Sequence, residues 1–142
     1  MAGDRDLVSG VIQLANLLNR RLAPVFEKAG VTPQQWAVLS AVARADGPVT
    51  LVGLARRLAV TKQNMTGMIA RLEQAGVIVR HGDPADLRSS LVTVTRRGRN
   101  LVERLGPVYE EWLRTAGGTD IPEREIQALT KSIERLIEAL ER

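Results

Sequence analysis

The middle of the chain carries two apolar patterns with helical spacing, each preceded by a threonine. Thr50 and Thr61 can each cap the free N–H groups of a helix, and apolar residues then recur three and four positions apart. The apolar positions are Leu51, Leu54, Ala55 and Leu58 in the first helix, and Met65, Met68, Ile69 and Leu72 in the second. Gly76 is a natural C-terminal stop. The pattern predicts a short amphipathic helix over residues 51–58 and a longer one over residues 62–75.

After Gly76 the pattern changes from helical to β-type. Residues 77–79 and 91–94 are rich in β-branched side chains, and the polar segment between them contains Gly82 and Pro84. These features predict a β-hairpin with a polar loop. A helix, a short turn, a second helix and a hairpin are the order of a winged helix-turn-helix, a DNA-binding arrangement. The expected fold class is therefore mainly α with a small β-hairpin wing (α+β).

The face of the second helix opposite its apolar stripe is polar. It carries, after the capping Thr61, the residues Lys62, Gln63, Asn64, Thr66, Gly67 and Arg71. Amide groups can read base edges in a major groove, so we expect Gln63 and Asn64 to contact bases and Lys62 and Arg71 to contact phosphates. The same residue types occur on any capped, solvated helix. The hairpin that follows favours the DNA-binding interpretation.

The hairpin and the start of the next helix carry four spaced residues, Asp86, Arg88, Thr95 and Gly98. Their spacing resembles the wing signature of the MarR family of bacterial transcription regulators, which reads roughly Asp-x-Arg, five residues, Leu-Thr, two residues, Gly. Val94 stands where that signature has Leu. The segment Thr32-Pro33-Gln34-Gln35-Trp36 is also similar to a helix start common in the family, so the resemblance spans nearly the whole chain.

The wing departs from the family pattern at Ala85 and Leu87, where many relatives carry Arg. The basic groups that remain near the hairpin are Arg80, His81 and Arg88. A wing with fewer cations is expected to hold a minor groove less tightly. The resemblance implies that the Asp86 carboxylate and the Arg88 guanidinium stabilise the wing. The alternative is a solvated ion pair that contributes little to stability. We expect Arg88 to contact DNA because a narrow minor groove attracts Arg.

Apolar residues also recur with helical spacing toward both ends of the chain. The first stripe comprises Leu7, Val11, Leu14, Leu18, Leu22 and Val25, and the later stripes comprise Leu101, Leu105, Val108 and Trp112, then Ile126, Leu129, Ile133, Leu136 and Leu140. Pro24 is expected to kink or end the first helix. Gly106-Pro107 is expected to interrupt the second stripe and to act as a hinge, and Gly117-Gly118 is expected to form the turn before the third.

Long apolar stripes need a partner surface, and a second copy of the chain is the predicted partner. We predict a helical dimerisation region over residues 1–30 and 105–142 and a winged helix-turn-helix region over residues 31–104, in a single intertwined domain. Packing of the terminal helices onto the winged region of their own subunit is the alternative. A two-fold dimer places two recognition helices one helical turn apart, roughly 34 Å, and predicts an inverted-repeat operator in double-stranded DNA.

The resemblance also implies a small effector, often aromatic or phenolic, held between the dimerisation and DNA-binding regions. Leu14, Leu18 and Trp36 are expected to line that site, although residues at helical spacing also suit a core. The predicted function is a dimeric repressor that the effector releases from its operator. The preference for repression over activation rests on family analogy.

The distribution of charge is more informative than its total. The 142 residues carry a net charge of +4, but residues 44–104 alone contain 11 basic and 5 acidic residues, a net charge of +6. Residues 105–142 contain 5 basic and 8 acidic residues, a net charge of −3. The positive field thus lies on the predicted DNA-binding region, as phosphate binding requires.

Composition argues against several other functions. His81 is the single histidine, cysteine is absent and no glycine-rich phosphate loop occurs, so we expect no catalytic residues, no cofactor and no metal site, with an all-oxygen metal site as the alternative. No segment has the apolar length of a membrane span, and the N-terminus lacks a signal-peptide pattern, so we expect a cytoplasmic protein. The competing class is a dimeric adaptor that uses the winged fold for protein contacts alone. The basic, amide-bearing helix face favours a regulator over that adaptor.

Overall fold

A computed structural model describes residues 6–115 and 120–142 of the chain. Its elements are α1 (Leu7–Glu27), α2 (Pro33–Arg44), β1 (Val49–Thr50), α3 (Leu51–Arg57), α4 (Lys62–Gln74), β2 (Ile78–Asp83), β3 (Asp86–Val94), α5 (Arg96–Thr115) and α6 (Glu123–Leu140). The helices and the small antiparallel sheet confirm the predicted fold class. The chain divides into two compact units, Met1–Leu105 and Gly106–Arg142.

Side-chain caps determine where four of the helices begin. Thr32 accepts a hydrogen bond from the backbone N–H of Gln35 at 3.1 Å, and the Gln35 side chain accepts one from the Thr32 N–H at 3.0 Å. Thr50 and Thr61 each accept the N–H three positions further along at 3.0 Å, as predicted. Asp6 caps α1 in the same way, and the N–H donated by Ser9 lowers the pKa of its carboxyl. Each of the three threonine caps stabilises its helix by about 1 kcal/mol.

The core of the first unit forms where α2, α3 and α4 pack on one another and on the sheet. Its largest fully buried side chains are Phe26, Leu39, Met65, Ile69, Leu72, Ile78, Val38 and Val92. The apolar stripes predicted for α3 and α4 supply Leu51, Leu54 and Ala55 and then Met65, Ile69 and Leu72 to this core. Phe26 stacks on Trp36 with ring centroids 5.2 Å apart, which attaches the end of α1 to α2.

The sheet has the strand order β1-β3-β2, and both pairings are antiparallel. The hairpin is longer than predicted, since pairing runs from Ile78 with Val94 to Asp83 with Asp86, with a register shift between Gly82 and Asp83. The turn is therefore only Pro84–Ala85, and Gly82 lies in β2 rather than in the loop. The outer half of the hairpin is exposed and held by backbone ladder bonds, so side-chain hydrophobicity does not mark it.

Neither Pro24 nor Pro107 ends its helix, so the option that Pro24 terminates α1 is wrong. α1 continues past Pro24 to Glu27, and α5 continues past Pro107 to Thr115. A proline removes one backbone hydrogen bond from a helix, and the kink at Pro24 and the hinge at Gly106-Pro107 stay predictions. The predicted turn at Gly117-Gly118 lies outside the described residues. Across residues 6–115 and 120–142, none of the helices has both the length and the hydropathy that a membrane crossing requires.

Candidate nucleic-acid interface

The start of α4 presents polar side chains away from the core. Met65, Ile69 and Leu72 bury one side of this helix, which leaves Gln63 and Asn64 on the opposite, exposed side. Neither side-chain amide has a hydrogen-bond partner within residues 6–115 and 120–142. Exposed amides with unused donors and acceptors can form paired hydrogen bonds with a base edge.

The other predicted residues of α4 differ in their exposure and in whether their side chains already form hydrogen bonds. Lys62 and Arg71 are exposed, two and a half turns apart along the helix. Thr66 is half-buried, and its hydroxyl donates to the Lys62 carbonyl at 2.9 Å, so it can only accept a further bond. Gly67 is exposed, and a side chain added there would meet nothing within 4 Å. The surface around Gly67 is therefore open to a close approach.

Two of the three basic residues of the wing, Arg80 and His81, form cross-strand hydrogen bonds. The Arg80 Nε donates to the Ser90 hydroxyl at 3.1 Å, and the His81 Nε2 lies 2.9 Å from the Thr93 hydroxyl. Both pairs join β2 to β3, so these side chains are oriented by the sheet even though they are exposed.

The tip of the wing is built by side chains that bond to the backbone. Asp83 accepts the Ala85 N–H at 2.9 Å, and Asp86 accepts the Arg88 N–H at 3.0 Å. The Asp86 carboxylate thus holds backbone rather than the Arg88 guanidinium. Arg114–Glu111 is the one ion pair among the described residues, so the guanidinium of Arg88 has no carboxylate within 4 Å in that part of the chain. Leu87, between them, is 98% exposed.

Glu73 is a functional candidate that the sequence pattern did not identify. It lies near the end of α4, and its carboxylate accepts the backbone N–H of Arg80 at 3.0 Å. Because β2 is an edge strand, that N–H points away from the sheet and would otherwise be left to solvent. Glu73 therefore ties the wing to the recognition helix. A lone glutamate on a solvated helix face gives no sign of this contact in the sequence.

Replacing Glu73 by alanine is expected to loosen the wing. Loss of one hydrogen bond from a charged acceptor should lower the local opening free energy at the Arg80 amide by about 1 kcal/mol, which is about fivefold faster amide exchange. Hydrogen exchange measured by NMR reports this directly. Glu73→Gln keeps a carbonyl acceptor and should retain most of the protection. Equal exchange at Arg80 in the wild-type protein and in Glu73→Ala would contradict the assigned role.

Thr95 and Gly98, which carry the family resemblance, lie behind the wing and join it to α5. The Thr95 hydroxyl donates to the Gly76 carbonyl at 2.6 Å and accepts the Gly98 N–H at 3.0 Å, while the Thr95 N–H donates to the Val77 carbonyl at 3.1 Å. A Cβ on Gly98 would lie 2.0 Å from the Val77 carbonyl oxygen. The motif thus fixes α5 against the turn that follows the recognition helix.

The three residues predicted to line an effector site have different surroundings. Trp36 is 6% exposed and contributes its ring to the core through Phe26. Leu14 is exposed and Leu18 is half-buried, one turn apart on α1. No group of three His, Cys, Asp or Glu side chains within residues 6–115 and 120–142 is placed to hold a metal ion.

Known proteins of similar sequence identify the family of this chain. Residues 29–89, from the loop before α2 into β3, match a model of the MarR family. The transcriptional activatory protein BadR of Rhodopseudomonas palustris is 36% identical over 132 residues, which cover 91% of this chain and 73% of that protein. The chain belongs to the MarR family. The homoprotocatechuate degradative operon repressor of Escherichia coli is 26% identical, with 93% of this chain and 88% of that protein covered.

Solved structures of MarR-family proteins have the same fold. The Staphylococcus aureus MepR–DNA complex superposes with a TM-score of 0.81 at 20% identity and covers 96% of this chain and 99% of MepR. NadR in complex with 4-hydroxyphenylacetate gives a TM-score of 0.75 at 24% identity and covers 96% of each chain. At such identities the likeness concerns the fold. Together with the sequence relatives, it makes this chain a winged-helix transcriptional regulator of the MarR family.

Proposed function

We propose that this chain acts as a homodimer that binds an inverted-repeat operator in double-stranded DNA with sequence specificity. The observation that carries the proposal is the pair of exposed amides, Gln63 and Asn64, which have no partner among the described residues at the start of a helix anchored on its other side. Such a helix start fits a major groove. The net charge of +6 over residues 44–104 would attract the phosphate backbone.

Each polar group of the interface has a proposed role. Gln63 and Asn64 read base edges, because each can pair two hydrogen bonds with a purine. Lys62 and Arg71 bind phosphates and set the register of the helix. Two hydroxyl residues of α4 and its cap, and four residues of the wing, make further contacts with DNA. They are Thr61, Thr66, Arg80, His81, Asp86 and Arg88. MepR, which has this fold, is known in complex with DNA.

The exposed apolar faces of the terminal helices support the proposed dimer. On α1 the exposed large apolar side chains are Leu7, Val8, Val11, Ile12, Leu14 and Leu17, and on α6 they are Ile126, Leu129, Ile133, Leu136, Ile137 and Leu140. Two such contiguous faces are rare on a monomer and mark an interaction surface. We assign residues 1–30 and 105–142 to dimerisation and residues 31–104 to DNA binding. A closed two-fold pair presents its two recognition helices to two half-sites.

The proposed regulation is release of DNA by a small aromatic or phenolic effector. NadR is known in complex with 4-hydroxyphenylacetate, and a related repressor controls a homoprotocatechuate degradative operon. The proposed lining residues are Leu14, Leu18 and Trp36. An effector can shift the protein only if it binds the DNA-free state more tightly than the DNA-bound state. We propose repression because a winged-helix protein can act simply by occupying its operator. The relative BadR, in contrast, is named an activatory protein.

Fluorescence anisotropy of the purified protein tests the DNA-binding proposal. The probes are the intergenic DNA upstream of its own gene and a scrambled duplex of equal length, at one salt concentration. We expect two subunits to bind the native duplex at least about a thousandfold more tightly than the scrambled one, the lower end for specific recognition. Equal weak binding to both, followed by failure to select any sequence from a genomic library, would favour the dimeric adaptor. Titration of phenolic acids against the complex then tests effector release.

Arg88→Ala is expected to weaken operator binding, most strongly when the flanks are rich in A·T pairs. The Arg88 guanidinium is exposed on β3 with no carboxylate near it among the described residues, and narrow A·T-rich minor grooves attract such a group. We expect a loss of about 1 kcal/mol on A·T flanks. The control is the same operator core with G·C flanks, measured by the same anisotropy titration. Equal losses on both flanks would show that Arg88 contacts phosphates instead.

A further inference from the structure

A cavity of about 520 Å³ lies within the first unit, and none of the polar α4 residues proposed to contact DNA lines it. Its wall is formed by the loop between α1 and α2, by the turn after α4 and by the first turns of α5. Three arginines of α5, Arg96, Arg97 and Arg104, line it, and we call it the arginine cavity. Its volume lies in the range of about 300–1,000 Å³ that small-molecule sites occupy.

The charge of the arginine cavity is uncompensated. No acidic residue lines it, and none of the three guanidinium groups has a carboxylate within 4 Å among residues 6–115 and 120–142. Three cations around one concavity repel one another and attract an anion. The planar guanidinium group offers paired N–H donors that match the oxygens of a phosphate. A total of three positive charges also suits a dianionic phosphate better than a singly charged carboxylate.

The floor of the arginine cavity is apolar. Val31, Val77 and Leu101 line it and are otherwise buried in the protein. An apolar floor beneath a cationic rim fits a ligand that has both an apolar body and an anionic group. The backbone of duplex DNA presents charged phosphates joined by sugars and has no compact apolar group that could enter such a cavity. This combination favours a small ligand over a stretch of duplex.

The wall of the cavity is firmly positioned. The turn after α4 is joined to α5 by the Thr95 hydroxyl and by the close approach of Gly98 to Val77. The side chain of Arg97 lies over Gly76, with its Cδ and Nη1 each 3.8 Å from where a Cβ would stand. The floor of the cavity is therefore organised before any ligand arrives, which lowers the entropic cost of binding.

We propose that the arginine cavity binds a small organic phosphate. The phosphate lies against the guanidinium groups of Arg97 and Arg104, and the apolar body lies on Val77 and Leu101. The Asn100 amide, which also lines the cavity, is available to bond a further polar group of the ligand. The site is separate from the DNA-contacting residues and from the proposed effector residues, so the inference does not depend on the proposed function.

Isothermal titration calorimetry of the full chain at constant ionic strength tests the inference, with phenyl phosphate as the probe. We expect phenyl phosphate to bind at least about tenfold more tightly than inorganic phosphate, because inorganic phosphate leaves the apolar floor unfilled. Phenol lacks the anion, so any heat that it gives should be the same in the wild-type protein and in Arg97→Ala, whereas the heat of phenyl phosphate should fall in that variant. Two results would overturn the proposal. One is phenyl phosphate binding no tighter than that of inorganic phosphate. The other is phenyl phosphate binding that is lost when chloride is the competing anion at the same ionic strength.

Variants of α5 locate the site. Arg97→Ala and Arg104→Ala should each weaken phenyl phosphate binding about tenfold or more, since each removes a charge-assisted hydrogen bond. Arg99→Ala is the matched control, because Arg99 is exposed on the same helix and does not line the cavity. All three arginines are exposed, so these variants should keep the wild-type unfolding midpoint. Equal weakening by Arg99→Ala would mean a diffuse electrostatic effect and would overturn the proposal.

A second variant tests the cavity without removing an arginine. Ala29 lies on its wall and is half-buried, so Ala29→Glu places a carboxylate facing the guanidinium groups. We expect Ala29→Glu to abolish phenyl phosphate binding through this competing internal anion. Normal binding by Ala29→Glu would contradict the site. Absence of phenyl phosphate binding, combined with DNA binding that Arg97→Ala and Arg104→Ala weaken more than Arg99→Ala does, would assign the arginines to DNA instead.

Discussion

Gly98→Ala is expected to reduce the free energy of unfolding by about 3 kcal/mol, the upper end of the usual cost of forcing atoms into a packed site. The added Cβ would lie 2.0 Å from the Val77 carbonyl oxygen and 2.8 Å from the Val94 Cγ2. The carbonyl cannot easily move, because it accepts the Thr95 N–H and the neighbouring Gly76 carbonyl accepts the Thr95 hydroxyl. Urea denaturation followed by circular dichroism measures the change.

Gly67→Ala is the matched control for this prediction. It makes the same chemical change in another helix, where the added Cβ would meet nothing within 4 Å. Alanine in a helix interior is more stable than glycine by about 0.5–1 kcal/mol, so Gly67→Ala should unfold at higher urea concentration than the wild-type protein. A Gly98→Ala variant with the wild-type midpoint would show that α5 can shift away from Val77. The close approach of Gly98 to Val77 would then contribute little to the stability of the protein.

Asn64→Ala and Gln63→Ala are expected to weaken operator binding by about 1–3 kcal/mol each and to relax the preference at one base pair each. The reason is that both amides are exposed and available, so a matched base edge gains two hydrogen bonds that alanine cannot make. Anisotropy competition against operators with single base-pair changes locates the relaxed position. Both variants keep the Thr61 cap and the buried Met65, so folding should be unaffected.

Arg71→Ala provides the contrasting control, because a phosphate contact carries no sequence information. It should weaken native and scrambled duplexes alike and reduce the salt slope by about 1. If Asn64→Ala and Gln63→Ala leave the preferred sequence intact, then base readout does not lie at the start of α4. The proposed orientation of α4 on DNA would then be wrong, whereas the fold and the family would stand.

The helices that position the interface were predictable because their signals are local. Thr50 and Thr61 cap residues three positions away, and the apolar stripes of α3 and α4 repeat within two or three turns. The sequence predicted that the wing is a β-hairpin, but it did not predict how long the two strands are. Its outer half is exposed on both faces, so no alternation of apolar residues marks the strands there. The two-residue strand β1 is too short to show any period.

The sequence by itself therefore determined the order of the helices and of the hairpin, and the caps at Thr32, Thr50 and Thr61. It also determined the location of the excess positive charge and, through the spacing of Asp86, Arg88, Thr95 and Gly98, the family. Each of these depends on residues within a few turns of one another or on a simple count.

Only the tertiary structure decided which distant groups meet. Glu73 binds the edge of the wing, Thr95 joins α5 to the turn at Gly76, and Trp36 stacks on Phe26. It also brought residues of the first loop and of α5 to one cavity with three arginines. Such contacts depend on the path of the backbone between the partners, because side chains far apart in the chain become neighbours only when the elements pack. Periodicity along a chain carries no information about that path.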